Sequence, residues 1–351
     1  MLSFAEALHE AFDLALAMDD RVFIMGEGVP DPRAIFATTA GLAEKYGADR
    51  VRDMPLAENG MTGICIGAAL MGERPILIHQ RLDFALLSCD QLINNGAKWH
   101  YMFNGAASVP LVIRLIVGRG WGQGPQHSQS LHALFAHIPG LKVVMPATAY
   151  EAKGMMLAAI ADNNPVIFIE HRWLHPLQDQ VPSAYYTVSL EGGALLQRGE
   201  GVTVVAFSYM VIEALRAARA LEEVGIQIEV VNMRGVSPLR AEVVLQSVKR
   251  TGRLIVADIG ATSFGVAAEL VATVAEHCFD SLLAPPQRVA NPDYPLPTSP
   301  AAAAGYYPGA VDIATRVLTL LGQESRIEQM QQRLQREGPE DVPQSDFHGP
   351  F

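Results

Sequence analysis

Apolar residues recur along this chain with two different spacings, and the two spacings alternate. From Phe4 to Met18 apolar side chains fall three and four positions apart, which predicts a helix, and Ser3 with Glu6 forms a capping box before it. Short unbroken apolar runs follow, as in buried parallel strands. The predicted strands are 21–26, 50–53, 74–79, 109–115, 141–146 and 165–170, and the predicted helices between them are 36–46, 61–70, 83–101, 130–135 and 150–161. This alternation predicts a doubly wound, mostly parallel sheet.

The pattern is interrupted once and then resumes. Residues 172–200 contain scattered prolines and glycines, and we place a domain linker there. The later strands are predicted at 202–206, 228–232, 253–258 and 288–289, and the later helices at 210–223, 239–249, 263–277 and 310–321. The sequence therefore predicts an α/β fold with two doubly wound domains, residues 1–185 and 186–322. A polar tail, 323–351, is too polar to build a core, so we expect it to lie on a neighbouring subunit or to be disordered.

Composition narrows the class of protein. Charged residues make up 18% of the chain, below the roughly 25% of an average soluble protein, so we expect other protein to cover much of its surface. A net charge of −11 without a basic cluster argues against nucleic acid or an anionic membrane as partner. The start at Met1 lacks a basic segment of the signal-peptide kind, and the apolar runs are too short to span a bilayer. The odd number of three cysteines indicates buried thiols, so we expect a cytoplasmic protein.

Glu58 stands out because its neighbours are apolar or small. It lies between a turn at Pro55 and a predicted helix made almost entirely of Gly, Ala, Ile and Leu, where water is expected to be scarce. A carboxyl group in such a place holds its proton more tightly unless a partner pairs with it, which suits an acid, a base or a hydrogen bond to a ligand nitrogen. The alternative is that Glu58 is a first-turn residue favoured by the helix dipole.

Other candidates follow predicted strands or lie in a glycine-rich loop. Glu27 and the string 79–81 each follow a predicted strand, at the edge where open α/β sheets bind ligands. The loop 118–130 ends near His127 and is flexible enough to wrap a ligand or a partner. The alternative for His127 is a histidine at the entry of a helix, satisfied by backbone groups.

Several common ligand motifs are absent from the sequence. It contains no G-x-x-x-x-G-K-[ST] loop, no dinucleotide fingerprint, no paired CxxC, no H-E-x-x-H and no G-x-S-x-G elbow. If a phosphorylated cofactor binds, another chain must hold its charged end.

Several separated motifs carry a family resemblance that runs from about residue 2 to 321. They are Leu56-Ala57-Glu58-Asn59-Gly60, Asp83-Phe84 with Asp90-Gln91, Pro125-Gln126-His127-Ser128-Gln129-Ser130, Phe135-Ala136-His137-Ile138-Pro139-Gly140-Leu141 and Asp162-Asn163-Asn164-Pro165-Val166. The chain resembles the β subunit of thiamine-diphosphate-dependent 2-oxo-acid dehydrogenases of the pyruvate, branched-chain and acetoin type. The resemblance implies a pyrimidine-binding domain followed by a transketolase C-terminal-like domain. It also implies an α2β2 heterotetramer in which the α partner holds the diphosphate and Mg²⁺.

The same resemblance implies roles for individual residues. Glu58 matches the glutamate that hydrogen-bonds the aminopyrimidine nitrogen, and Phe84 matches the aromatic residue that packs on that ring. Leu56 and Gln80 match neighbouring cofactor contacts, and His127 matches the active-site histidine near the reacting carbon. Positions that bind a structural monovalent cation, K⁺, are matched by Leu141, Ala159, Asp162 and Asn164.

The chain departs from the family pattern beside the expected site. It has Ile78-His79 and Arg81 where relatives often carry other residues, and its glycine-rich loop adds Arg119 and Trp121. One interpretation places these side chains at a subunit contact, since Arg and Trp are favoured there. The other gives His79 and Arg81 a role in binding a carboxylate or phosphate of the substrate.

These alternatives leave three functional hypotheses. The first is decarboxylation of a 2-oxo acid with transfer of the acyl group to a lipoyl-bearing acyltransferase. The second is a transketolase-like two-carbon ketol transfer from a ketose phosphate or a similar donor. The third is a non-catalytic subunit that binds a partner, against which the intact Glu58, Phe84 and His127 argue.

Overall fold

A computed structural model describes residues 1–120 and 122–340, which form two compact units. Of the described residues, the first unit contains 1–118 and 134–190, and the second contains 119–120, 122–133 and 191–340. The glycine-rich loop thus groups with the second unit. Trp121 and residues 341–351 lie outside the described residues.

The first unit is built on a parallel sheet. Its strands are β1 (Leu2–Ser3), β2 (Val22–Gly26), β3 (Val51–Arg52), β4 (Arg74–His79), β5 (Val112–Val117), β6 (Lys142–Val144), β7 (Val166–His171) and β8 (Gln178–Asp179). Six of them lie side by side in the order β6-β7-β5-β4-β2-β3, and every pair is parallel. Strands β1 and β8 form a separate antiparallel pair. The expected doubly wound sheet is confirmed.

Helices flank this sheet. They are α1 (Phe4–Met18), α2 (Leu42–Tyr46), α3 (Glu58–Leu70), α4 (Trp99–Met102), α5 (His132–Ala136) and α6 (Ala149–Ala161). The expected capping box opens α1: the Ser3 hydroxyl accepts from the Glu6 amide at 3.2 Å, and the Glu6 carboxylate accepts from the Ser3 amide at 2.7 Å. Phe4, Leu8 and Phe12 are fully buried on one side of this helix.

Two predicted helices are wrong in extent. The segment 83–101 divides into a 3₁₀ helix at Leu82–Ser88, a π-helical turn at Gln91–Gly96 and α4. The run Asn94-Asn95-Gly96 consists of poor helix formers and marks the place where the π-helical turn ends before α4. In the segment 36–46 only α2 is α-helical, because Gly41 adopts a left-handed φ of 75° directly before it.

The second unit has a mixed sheet. Its strands are β9 (Ala194–Gln197), β10 (Thr203–Ala206), β11 (Glu229–Asn232), β12 (Gly235–Ser237), β13 (Leu254–Ala261) and β14 (Gln287–Asn291). Five of them have the order β14-β13-β10-β11-β9, and β9 alone in this set runs antiparallel to its neighbour. The helices are α7 (Met210–Glu222), α8 (Glu242–Thr251), α9 (Val266–Cys278), α10 (Pro300–Ala303), α11 (Ala310–Leu320) and α12 (Ile327–Leu334).

Between residues 323 and 340 the polar segment does not lie where we expected it. Helix α12 packs against α7 and α11 of its own unit, and Met330 is 1% exposed. Arg333 forms an ion pair of 2.8 Å with Glu223 of the same unit. Ile327, Met330 and Leu334 fall three and four residues apart on one face of α12, the spacing of a helix that docks while its polar face stays in water.

Two further expectations concern membrane spans and cysteines. Among residues 1–120 and 122–340, none of the helices combines the length and the apolar character that a membrane span requires. The thiols of Cys65 and Cys278 are buried as expected, whereas Cys89 is only half-buried. Burial raises the pKa of Cys65 to about 12, so this thiol is inert at neutral pH.

Candidate active site at the carboxyl edge of the first sheet

The first candidate residues meet where parallel strands of the first unit end. Strand β2 is followed by Glu27, β3 by Asp53 and β4 by Gln80. Because parallel strands all end at the same edge, their following residues come together there. The Gln80 side-chain amide donates to the Glu27 carbonyl oxygen at 3.0 Å, which ties the end of β4 to the end of β2.

Glu58 is the first residue of α3 and is 8% exposed. The Thr62 hydroxyl donates to the Glu58 carbonyl oxygen at 2.7 Å and lies 2.9 Å from the Ser88 hydroxyl. These contacts hold the first turn of α3 against the segment that follows β4. The expected burial of Glu58 is confirmed, and its helix-dipole position is also present.

Three carboxyl groups share this part of the edge. The pKa of Glu27 is raised, first by burial and then by the negative charges of Glu58 and Asp53. The Asp53 carboxylate accepts from the amides of Gly28 at 2.8 Å and Met54 at 2.9 Å, so its position is fixed. Sequence analysis singled out Glu27 and Glu58 but did not predict their electrostatic coupling. The edge is thus suited to a ligand group that carries or gains a proton.

The other predicted cofactor contacts lie in the same unit with different exposure. Phe84 is half-buried, and its amide donates to the Arg81 carbonyl oxygen at 3.2 Å. Leu56 is 78% exposed, directly before the buried Glu58. Their contacts to a cofactor stay a prediction.

Two arginines and a neutral histidine occupy the neighbouring part of the edge. His79, Arg81 and Arg172 are 2%, 5% and 3% exposed, respectively. Burial lowers the pKa of His79 to about 4 and that of Arg81 to about 10. The pKa of Arg172 is lowered to about 8, first by burial and then by the charge of Arg81. Arg172 was missed because residue 172 fell at the start of the supposed linker.

A buried ion cluster supports the strands beneath these groups. Arg114 on β5 donates through Nε to Oε2 of Glu170 on β7 at 2.9 Å, and through Nη1 to Thr38 Oγ1 at 2.8 Å. His175 Nε2 lies 2.7 Å from the other Glu170 oxygen. Burial alone would raise the pKa of Glu170, but the Arg114 charge and the His175 hydrogen bond lower it to about 2. Sequence analysis missed this cluster because Arg114 and Glu170 lie inside apolar runs and His175 fell in the predicted linker.

His127 belongs to the second unit, in the glycine-rich loop. Its side chain is exposed, and its amide donates to the Gly124 carbonyl oxygen at 3.4 Å. Gly124 has a φ of 64°, and a Cβ atom there would lie 2.6 Å from Thr298 Oγ1, so a glycine is required. Farther along, the buried His132 Nε2 lies 2.9 Å from Asp258 Oδ1. The segment that contains His127 is thus held in place before it, at Gly124, and after it, at His132.

Arg119, at the start of this loop, is held within the second unit. Its guanidinium lies over the Tyr307 ring at 4.1 Å from the centroid, and its Nε donates to the Glu340 carbonyl oxygen at 3.0 Å. These contacts attach the loop to the segment that follows α12.

The predicted cation positions gather at the end of α6. Asp162 follows α6, and its carboxylate pairs with Lys142 and accepts from the Asn164 amide at 2.8 Å. Arg74 Nη1 donates to the Asp162 carbonyl oxygen at 3.1 Å. A carbonyl has two lone pairs, so neutral oxygens of Leu141, Ala159 and Asp162 can still suit a monovalent ion. No group of three or more His, Cys, Asp or Glu side chains could hold a metal ion in the part of the chain described.

Comparisons with known proteins agree with this architecture. The family model "Transketolase, pyrimidine binding domain" matches residues 1–178, and "Transketolase, C-terminal domain" matches residues 192–313. A solved structure, "Split gene transketolase, inactive beta4 tetramer", superposes with a TM-score of 0.71 at 21% identity, over 92% of this chain and 99% of that one. The fold and domain matches define a protein of the transketolase class.

Sequence relatives define the family more closely. The chain is 40% identical to the acetoin:2,6-dichlorophenolindophenol oxidoreductase subunit beta of Cupriavidus necator, over 89% of this chain and 95% of the relative. It is also 40% identical to the mitochondrial pyruvate dehydrogenase E1 component subunit beta-1 of Oryza sativa, over 83% of this chain and 79% of the relative. The 2-oxoisovalerate dehydrogenase subunit beta of Bacillus subtilis is 38% identical, over 86% of this chain and 92% of the relative. The chain belongs to the family of E1 β subunits of 2-oxo-acid dehydrogenases, as the resemblance implied.

Proposed function

We propose that this chain is the β subunit of an α2β2 enzyme that decarboxylates a 2-oxo acid with thiamine diphosphate and passes the acyl group to a lipoyl-bearing acyltransferase. The observation that carries the proposal is the buried Glu58 beside Glu27 and Asp53. When bound, thiamine diphosphate supplies a nucleophilic carbon and an electron sink for decarboxylation.

The acidic edge suits the task proposed for Glu58. A carboxylate that accepts a hydrogen bond from a ring nitrogen favours the protonated form of that nitrogen. The negative charges of Glu58 and Asp53 already raise the pKa of Glu27, so the same field would stabilise positive charge on a ligand at this edge. We assign Phe84, Leu56 and Gln80 to contacts with the pyrimidine ring, and His127 to the reacting carbon and acyl transfer.

A partner must hold the diphosphate and Mg²⁺, because the chain carries no phosphate-binding motif. The first unit exposes a set of large apolar side chains that an α subunit would cover. Their exposed fractions are 78% for Leu56, 55% for Ile64, 85% for Met71, 63% for Leu87 and 88% for Tyr101. Large exposed apolar side chains in one unit support a protein interface. We also propose K⁺ at the end of α6, held by Leu141, Ala159, Asp162 and Asn164, and a cytoplasmic location.

A first test concerns Glu58. We expect Glu58→Gln to lower the rate of CO₂ release from a 2-oxo acid by about 10²- to 10⁴-fold, the usual contribution of a positioned acid or base. The assay uses the complex with its α subunit, thiamine diphosphate and Mg²⁺. Glu73→Gln is the matched control, because Glu73 is exposed in the turn between α3 and β4. Equal rates for Glu58→Gln and the wild type would contradict the role of Glu58.

The second candidate, ketol transfer from a ketose phosphate, is favoured by one observation. The buried Arg81 and Arg172 provide positive charge that a phosphate would use. Release of a shortened aldose phosphate, without CO₂, would identify this reaction. A non-catalytic subunit would show neither product.

A further inference from the structure

The stretch around His127 has no regular secondary structure to hold it. Residues 122–131, here called the His127 segment, form neither a helix nor a strand. Residues 125–127 are exposed, whereas Gly124 before them and Ser128 after them are buried. A segment without internal ladders of hydrogen bonds opens easily unless side chains attach it to neighbouring elements. The position of His127 therefore depends on such attachments.

The attachment that follows His127 is a buried pair of ionisable side chains. His132 Nε2 lies 2.9 Å from Asp258 Oδ1, and the two side chains are 1% and 0% exposed. Gly260 makes room for this contact, because a Cβ atom there would lie 2.9 Å from His132 Cε1. A larger residue at position 260 would press against the His132 ring.

Asp258 belongs to the frame of the second unit. It lies on β13, one residue beyond Ala257, where the pairing of β13 with β10 ends. The Gly260 amide donates to Asp258 Oδ1 at 3.1 Å. Just beyond, the Asn291 side-chain amide donates to the Ile259 carbonyl oxygen at 2.8 Å. Asp258 is thus a fixed point on the second sheet, against which the chain at His132 is held.

Burial makes the contact hard to replace. Burial alone would raise the pKa of Asp258, but the interaction with His132 and the amides of Gly260 and Ala267 lower it. The carboxyl group is therefore kept charged by its partners. Separating His132 from it would leave a buried charge without part of its compensation, which is costly. The end of the His127 segment stays in place for this reason.

The short distance along the chain connects this contact to His127. Five residues separate His127 from His132, and they span at most about 17 Å when extended. The His127 amide donates to the Gly124 carbonyl oxygen at 3.4 Å, a long hydrogen bond that holds the turn weakly. A shift of His132 is therefore passed on to His127.

We propose that Asp258 is a positioning residue, which holds His132 and thereby sets the position of His127. The inference rests on the proposed function for what His127 does in the reaction. The positioning itself can be measured without turnover, so the two can fail separately.

The first test measures the His127 segment directly. Hydrogen exchange is followed by mass spectrometry in the complex with its α subunit, thiamine diphosphate and Mg²⁺. We expect Asp258→Asn to speed exchange in residues 122–131 by about 10- to 100-fold, the effect of losing a hydrogen bond to a charged group, and to leave α7 unchanged. Asp293→Asn is the matched control, because Asp293 is exposed and accepts from the Ser263 amide at 3.0 Å. It should change neither region.

A second variant covers the case in which Asp258→Asn does not fold. Gly260→Ala keeps both ionisable groups and presses against the His132 ring, and the backbone of this strand residue accepts alanine. We expect the same faster exchange in the His127 segment. Unchanged exchange in this segment, or equal acceleration throughout the second unit, would overturn the inference.

The second test asks whether Asp258 acts through His127. We expect Asp258→Asn to lower kcat by about 10- to 100-fold with little change in KM, because a misplaced group slows the step that it assists. The double variant with His127→Ala should be no slower than His127→Ala alone. Losses that multiply would overturn the inference. If the wild-type complex has no activity, the proposed function fails, and the exchange measurement alone decides the positioning.

Discussion

At the scale of single residues, the site depends on charges placed where water is scarce. Arg114 and Glu170 are fully buried and lie on neighbouring central strands. Removing one member of such a pair leaves the other charge buried and uncompensated, which costs far more than loss of a surface pair. Gly118 directly follows β5 and Arg172 directly follows β7, so this cluster supports the strand ends at which the buried Arg172 lies.

We expect Glu170→Gln to lower the free energy of unfolding by about 3–5 kcal/mol in urea denaturation. Glu191→Gln is the matched control: Glu191 pairs with Arg240 at 3.3 Å on the surface, and its loss should cost about 0–1 kcal/mol. A loss in Glu170→Gln no larger than that of the control would contradict the structural role of the cluster.

The same pair gives a pH dependence with a definite sign. The folded pKa of Glu170, about 2, lies below its ordinary value of 4.5. Its contribution to stability is therefore complete above that ordinary value and is lost as the pH falls toward the folded pKa. The difference in stability between wild type and Glu170→Gln should accordingly shrink below about pH 4.5.

Polar residues at the boundary of a helix or strand, beside apolar sequence, could be found from the sequence. Polar residues in the middle of an apolar strand could not. Glu58 was identifiable because an acid preceded a helix of small residues. Arg114 and Glu170 look like tolerated polar positions inside strands until the pairing of β5 with β7 makes those strands neighbours and brings Arg114 Nε to 2.9 Å from Glu170 Oε2. The position of Arg172 likewise depends on the strand order, which places β5 between β4 and β7.

At the scale of elements, helix α12 shows that a small buried apolar surface is enough to fix the position of a segment. Its sequence is polar, yet Met330 is buried against α7 and α11. Composition predicted a tail without a place in the fold, because composition averages over faces and does not register that Ile327, Met330 and Leu334 share one face of α12. Helix starts were easier to predict, since caps such as Ser3 with Glu6 are local.

We expect Met330→Ala to lower the free energy of unfolding by about 2–5 kcal/mol, since Met330 is 1% exposed. Met18→Ala is the matched control, because Met18 is 62% exposed and its loss should cost less than about 0.5 kcal/mol. Urea denaturation measures both. Equal stability of the two variants would show that α12 is not docked.

At the scale of the whole molecule, the alternation of apolar runs and helical patterns predicted both α/β units. Parallel sheets buried on both faces require long apolar strands, so that signal is strong. The 3₁₀ and π segments between residues 82 and 96 could not be predicted, because they depend on how the chain packs beside α3. The missing phosphate motif was the sequence's clearest indication that the site needs another chain.

The most direct measurement of the central claim is CO₂ release from a panel of 2-oxo acids by this chain alone, by the α subunit alone and by the two together, with thiamine diphosphate and Mg²⁺ in each case. We expect release only from the combined chains, and loss of release when thiamine diphosphate is omitted. Release by this chain alone, or by the α subunit without it, would contradict a site that the two chains complete together.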